Sequence, residues 1–171
     1  TGVIGEPLPY EKITAKIPDM VAGLREDAID GAAEAIMTTD TFPKGAVATV
    51  QGDGGVIQIA GIAKGSGMIA PDMATMLVYF FTATKIPATT LQKLVSRNVD
   101  ASFNSITVDS DTSTSDTLLV AATGKSSAAE VKGPVAKAFE AALRDVMMNL
   151  AHQVIRDGEG ATKFVEVRVT G

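Results

Sequence analysis

Gly52-Asp53-Gly54-Gly55 separates two β-rich runs, Ala46–Gln51 and Val56–Ile62, and no other feature of the 171-residue chain restricts its folding as tightly. Asp-Gly and Gly-Gly pairs supply the turn conformations that reverse a strand onto itself, so the two runs are expected to form an antiparallel hairpin. The second arm leads straight into a glycine-rich loop, Lys64-Gly65-Ser66-Gly67, then a turn at Ala70-Pro71-Asp72, then an apolar run from Met76 to Phe81. Three neighbouring strands therefore surround that loop. Thr75 stands where loop becomes buried strand, a place that fixes a side chain while leaving its face open.

The rest of the chain interleaves helices and strands. Tyr10–Leu24 carries Ile13, Ile17, Met20, Val21 and Leu24 at helical spacing, with Pro18 marking a break or a new start. Arg25–Met37 predicts a second helix, whose small residues Ala28, Gly31, Ala32 and Ala35 permit close packing, and a polar run, Thr38-Thr39-Asp40-Thr41, follows it. Pro87–Val99 predicts an amphipathic helix. Pro134–Arg156 predicts another, with Val135, Phe139, Leu143, Val146, Leu150 and Val154 recurring on one side and Pro134 suited to its first turn. Ile106–Val108, Thr117–Ala122 and Ala161–Thr170 read as strands, the last by alternation of Val165, Val167 and Val169 with Glu166 and Arg168. No strict βαβ rhythm emerges, which favours a layered α+β domain over a doubly wound sheet.

Composition narrows the function. A core is affordable at 46% hydrophobic residues, and a net charge of −5 without a basic run argues against a nucleic-acid surface. No uninterrupted apolar segment approaches the length of a membrane span. With no cysteine and a single histidine, His152, thiol catalysis within the chain is excluded, and a Ser-His-Asp arrangement would have to use that one imidazole. Absence of cysteine also excludes a disulfide framework and a cysteine-based zinc site.

A threonine hydroxyl needs a base, and the remaining route uses the threonine's own α-amino group, freed by cutting the peptide bond before it. Ala74–Thr75 would be that bond. A loop-to-strand threonine with an ordinary structural role stands beside this reading. Lys64-Gly65-Ser66-Gly67 fails as a phosphate loop, because the lysine precedes its glycines, and as a dinucleotide loop, because Ala70 stands where a third glycine is needed. Asp109, Asp111 and Asp116 do not form a calcium loop, since Thr114 and Val120 occupy the positions that need Gly and Glu. His152 falls off the apolar stripe of its helix and reads as an exposed histidine, without a second histidine to make a metal site. Glu159 lies between two glycines in Asp157-Gly158-Glu159-Gly160; the glycines suit a helix C-terminal turn, but turn chemistry does not ask for the acid.

Read as a string, KGSGMIAPDMATML resembles the autocleavage segment of the ornithine acetyltransferase family, the bifunctional glutamate N-acetyltransferases and amino-acid acetyltransferases of arginine biosynthesis. Thr1-Gly2-Val3-Ile4-Gly5, Met37-Thr38-Thr39-Asp40-Thr41, Ser102–Thr117 and Asp157–Lys163 resemble further segments of that family in family order. Several ordered motifs are far more specific than any one of them.

The resemblance implies a layered sheet-and-helix sandwich similar to N-terminal-nucleophile hydrolases, with self-cleavage between Ala74 and Thr75. Thr75 would be the nucleophile, with Thr1 and Gly2 forming the oxyanion hole, and Thr41, Lys64, Thr75 and Glu159 would bind substrate. Acetyl would pass from N-acetylornithine to glutamate through acetyl-Thr75. No metal or tightly held cofactor is implied, although some members also take acetyl-CoA as donor. The cut pieces are expected to assemble as α2β2, in the cytoplasm or, in a eukaryote, the mitochondrial matrix. Residues 1–171 would be one domain from the central part of a longer precursor, and strain at the Pro71–Ala74 turn would drive the cut. An N-terminal-nucleophile aminopeptidase or amidase, with water as acceptor, and a non-catalytic fragment that never self-cleaves are the alternatives.

Overall fold

The computed structural model describes residues 5–67, 76–108, 113 and 115–170. In chain order these form α1 (Tyr10–Thr14), α2 (Ile17–Ala22), α3 (Ile29–Ala35), β1 (Lys44–Gly52), β2 (Gly55–Lys64), β3 (Leu77–Thr82), α4 (Ala88–Val99), β4 (Thr117–Ala122) and α5 (Gly133–Arg156), with a 3-10 turn at Phe103–Ser105. Thr1, Gly2, the Pro71–Ala74 turn, Thr75, Asp109 and Asp111 lie outside the described residues.

The expected hairpin organises the sheet. β1 and β2 pair antiparallel from Lys44↔Ala63 to Gly52↔Gly55, and Gly54 closes the turn at a φ of 82°, a left-handed conformation open to glycine at little cost. β3 pairs antiparallel with β2, from Ile59↔Thr82 to Lys64↔Leu77. β4 joins β3 in parallel after α4 crosses over, giving the order β1-β2-β3-β4. Strand and helix are thus mixed in a layered α+β arrangement, as the sequence predicts.

One helix layer covers one face of the sheet. α5 buries Phe139, Leu143, Val146, Met147, Leu150, Ala151 and Val154 along a single side, against β1 and β2. Apart from Ala151, each such side chain removed from water is worth roughly 1.5–3 kcal/mol before entropic costs. The helix can approach closely because Gly61 of β2 has no side chain: a Cβ there would lie 2.7 Å from the Phe80 ring and 2.8 Å from a Leu150 methyl. α4 adds Leu91 and Leu94 to the same core, and Phe103 meets Phe80 edge-on at 6.4 Å. The opposite sheet face leaves Val47, Val56, Phe81 and Leu119 exposed.

Four expectations change in detail. Tyr10–Leu24 forms two short helices, α1 and α2, with Pro18 in the first turn of the second; neither buries a residue, and apolar spacing alone does not hold a long helix without a surface to cover. Arg25–Met37 contracts to α3, which places only Ala33 in the interior. Ile106–Val108 is not a strand: it pairs with none of the four strands of the described sheet. Ala161–Thr170 is not a strand either: Val165, Val167 and Val169 are 72%, 80% and 92% exposed, and alternation alone makes no strand where the segment neither pairs with another nor covers a core.

Candidate active site

The end of β2, the segment before β1 and the turn after α5 converge on a buried ionic cluster. Alternation along β1 sends Lys44 to the same side as the core residue Val50, so its ammonium enters the interior and must find carboxylates there. It finds two. Lys44 Nζ lies 2.6 Å from Asp40 Oδ1 and 2.5 Å from Asp157 Oδ2, with the side chains of Lys44, Asp40 and Asp157 only 0%, 1% and 2% exposed. The ammonium also sits 4.7 Å from the centre of the Phe42 ring.

The carboxylates in turn hold backbone. Asp40 accepts the Gly65 N–H at 2.7 Å on Oδ1 and the Thr38 N–H at 3.2 Å on Oδ2. Burial works to raise the Asp40 pKa, yet these amide hydrogen bonds and the Lys44 ammonium outweigh it and hold the carboxyl below the usual carboxylate range. Asp157, capping the C-terminal end of α5, accepts the Thr41 N–H at 3.0 Å and the Thr41 hydroxyl. Gly65 takes part with a φ of 151°, which side-chain-bearing residues rarely adopt.

Beside this cluster lie further polar groups, some buried and some exposed. Lys64, buried at the last position of β2, donates from Nζ to the Thr38 hydroxyl at 3.3 Å. Burial lowers its pKa below that of an ordinary ammonium, and Asp40 and Asp116 offset part of the effect. The Thr39 and Ser66 hydroxyls are 2.6 Å apart, and the Glu159 N–H donates to the Ser66 carbonyl at 2.6 Å, leaving the Glu159 side chain exposed beside the glycine-rich loop. Asp116, just before β4, accepts the Met76 N–H at 2.9 Å, and the Thr117 N–H donates to the Met76 carbonyl at 3.1 Å. Both backbone groups of the residue after Thr75 are therefore held.

Of the residues singled out in the sequence, the structure brings Lys64, Thr41 and Glu159 into one neighbourhood. Their environments differ: Lys64 faces Thr38, whereas the Thr41 hydroxyl is turned onto Asp157. Thr1, Gly2, Ala74 and Thr75 lie outside the described residues. Sequence reasoning passed over Thr38, Asp40, Lys44 and Asp157 as participants, although a lysine at an inward position of a strand is a readable sign that carboxylates await it. His152 is half-buried, its ring 5.3 Å from that of Phe164. Among the described residues no group of three or more acidic or histidine side chains is placed to hold a metal, and no helix is long and apolar enough to cross a membrane.

The chain is similar over its whole length to curated proteins. The arginine biosynthesis bifunctional protein ArgJ of Ruegeria pomeroyi is 62% identical over 171 residues, covering 100% of this chain and 41% of that protein. Its counterpart of the same name in Gluconobacter oxydans is 55% identical over 174 residues, again 100% of this chain and 41% of the relative. The chain thus spans about two fifths of the length of the curated relatives it matches. A crystal structure of the arginine biosynthesis bifunctional protein ArgJ from Bacillus halodurans aligns with 39% identity and a TM-score of 0.48, over 50% of this chain and 41% of that one. The ArgJ family matches residues 1–171, the whole of the sequence, and the chain belongs to that family.

Proposed function

We propose that this chain provides the acyl-transfer half of an ornithine acetyltransferase, moving acetyl from N-acetylornithine to glutamate in arginine biosynthesis. One observation carries the reading: segments 38–41, 64–67 and 157–160, far apart in sequence, meet beside Met76, the residue that follows Thr75. A lysine, hydroxyl groups and a glutamate gathered there suit the carboxylate and ammonium groups of an amino acid. Family membership over the full chain and relatives named for arginine biosynthesis support the same reaction.

In this mechanism the Thr75 hydroxyl attacks the Ala74 carbonyl carbon, the amide becomes an ester, and water hydrolyses it to an Ala74 carboxylate and a free Thr75 amine. That amine then takes the Thr75 hydroxyl proton as the oxygen attacks the acetyl carbon of N-acetylornithine. Thr1 and Gly2 donate to the developing oxyanion, ornithine departs with the proton, and glutamate accepts the acetyl group. Lys64, with Thr38, holds the substrate α-carboxylate, while Thr41 and Glu159 complete the amino-acid site. The two pieces remain together and pair again as α2β2 in the cytoplasm; acetyl-CoA serves as an alternative donor.

Intact mass of the full-length protein and of its Thr75→Ala variant tests the reading. Two pieces meeting at 74/75 in the parent and one chain in the variant are expected, together with acetyl transfer only in the parent. Release of free acetate at the same rate with and without glutamate would instead mark a hydrolase.

A further inference from the structure

We infer that Asp40, Lys44 and Asp157 are positioning residues that set the affinity of the site for its amino-acid substrates; this rests on the reading that Lys64 and Glu159 hold those substrates. The three are too deeply buried to touch a substrate themselves. What they touch is the backbone of the loops that do. Asp40 ties the segment carrying Thr38 to Gly65, next to Lys64. Asp157 ties Thr41 to the turn carrying Glu159. Lys44 joins the two carboxylates, so the three loops share one fixed reference.

The chemistry explains why an ionic cluster stands where apolar residues would be cheaper. Loops without regular structure present backbone N–H groups, and a carboxylate accepts several of them at once. Two carboxylates so buried need a cation between them, and Lys44 is the one. Apolar replacements would fill the space but hold no amide. Thr38 and Thr41 are exposed, and these inward-facing bonds hold their backbone from the buried side.

The test uses the full-length, self-processed enzyme and measures KM for N-acetylornithine and glutamate, kcat, and completeness of cleavage by mass. Asp157→Asn is expected to raise both KM values by roughly tenfold or more while kcat stays within about threefold, because misplaced binding groups weaken the complex without altering the nucleophile. The neutral triple variant D40N/K44M/D157N removes the buried charge altogether. It is expected to recover most of any lost thermal stability but not the KM. A KM that returns with the Tm, or stays at the parental value in a folded variant, overturns the proposal, and the triple variant decides the matter if Asp157→Asn does not fold. Lys64→Met serves as the direct-contact control: a parental KM there would sink the substrate-binding reading, whereas a raised KM there with an unchanged one in Asp157→Asn would sink only the positioning role.

Discussion

The Lys44 ammonium and the Asp157 carboxylate, 113 positions apart in the chain, meet at 2.5 Å with both side chains almost wholly removed from water. They join the first strand of the sheet to the end of its covering helix, and the segments carrying Thr38, Thr41, Lys64 and Glu159 each contain a residue of this cluster or are bonded to one.

Asp40 gives this cluster a defined response to acid. Its folded-state pKa lies below the unfolded value, so its stabilising contribution is complete above the unfolded pKa and is lost as pH falls through the folded one. Asp40→Asn leaves Lys44 paired with Asp157 but weakens the charge-assisted hydrogen bonds that Asp40 makes to Lys44 and to the Gly65 and Thr38 amides, and should cost about 1.5–3 kcal/mol at neutral pH. Urea unfolding of parent and variant at a series of pH values should show that gap closing as the solution is acidified; a constant gap would mean that Asp40 is not the group titrating.

Lys64 behaves in the opposite sense. Burial depresses its pKa, so the ammonium is lost at a lower pH than for a lysine in water. Binding of a substrate carboxylate should therefore weaken, and KM rise, as pH climbs through that depressed value. Lys64→Arg keeps its charge and should give a flat profile over the same window, even if its KM is higher throughout. Stability runs the other way: between the folded and unfolded pKa values the unfolded chain binds more protons, so folding is favoured by rising pH there. Initial rates at varied substrate concentration and pH check the first claim, denaturant titrations the second.

Thr38 and Thr41 are near neighbours with different partners, and valine in place of each should separate them. Thr41→Val leaves an Asp157 oxygen short of a donor in the interior and should lower stability by about 1–3 kcal/mol. Thr38→Val removes an exposed hydroxyl that faces Lys64; its melting temperature should match the parent while KM increases. Equal losses of stability in both would contradict the assignment.

Gly61→Ala tests the fit of α5 on the sheet. The added methyl would lie 2.7 Å from the Phe80 ring and 2.8 Å from Leu150 Cδ1, and a ring held in a full core cannot step aside easily. Overpacking of this kind costs about 1–3 kcal/mol. Scanning calorimetry should show a lower melting temperature, part of which Leu150→Val restores.

Much of this architecture was legible before any coordinates. Asp53-Gly54 marked the hairpin because its turn chemistry is local, and the Phe139–Val154 stripe marked α5 because one helix face meets one core. Those signals depend only on near neighbours. Ala161–Thr170 and Ile106–Val108 misled because a strand exists only through pairing with another strand, which alternation within one segment does not reveal. Tyr10–Leu24 misled for a related reason: its apolar residues had no surface waiting for them in the described structure. Within the site, Lys64 and Glu159 were visible through the family resemblance. Lys44 and Asp157 were not, since their significance is a contact between distant segments. Only the alternation of β1 hinted that Lys44 points inward.

The place of β3 between β2 and β4 bears on when the proposed cut before Thr75 could occur. A break in the backbone ahead of β3 puts β1 and β2 on one polypeptide and β3, β4, α4 and α5 on another, yet the ladder from Ile59↔Thr82 to Lys64↔Leu77 and the seat of α5 over β1 and β2 cross that divide. In a continuous chain β2 and β3 find one another by closing a short loop, at a cost that grows only slowly with loop length. Two separate polypeptides would have to meet by diffusion, each carrying an uncovered half of the same interior. If the proposed cut is made, folding must therefore come first and scission second, and afterwards an isotopically labelled piece should not exchange into unlabelled enzyme until the whole molecule is denatured.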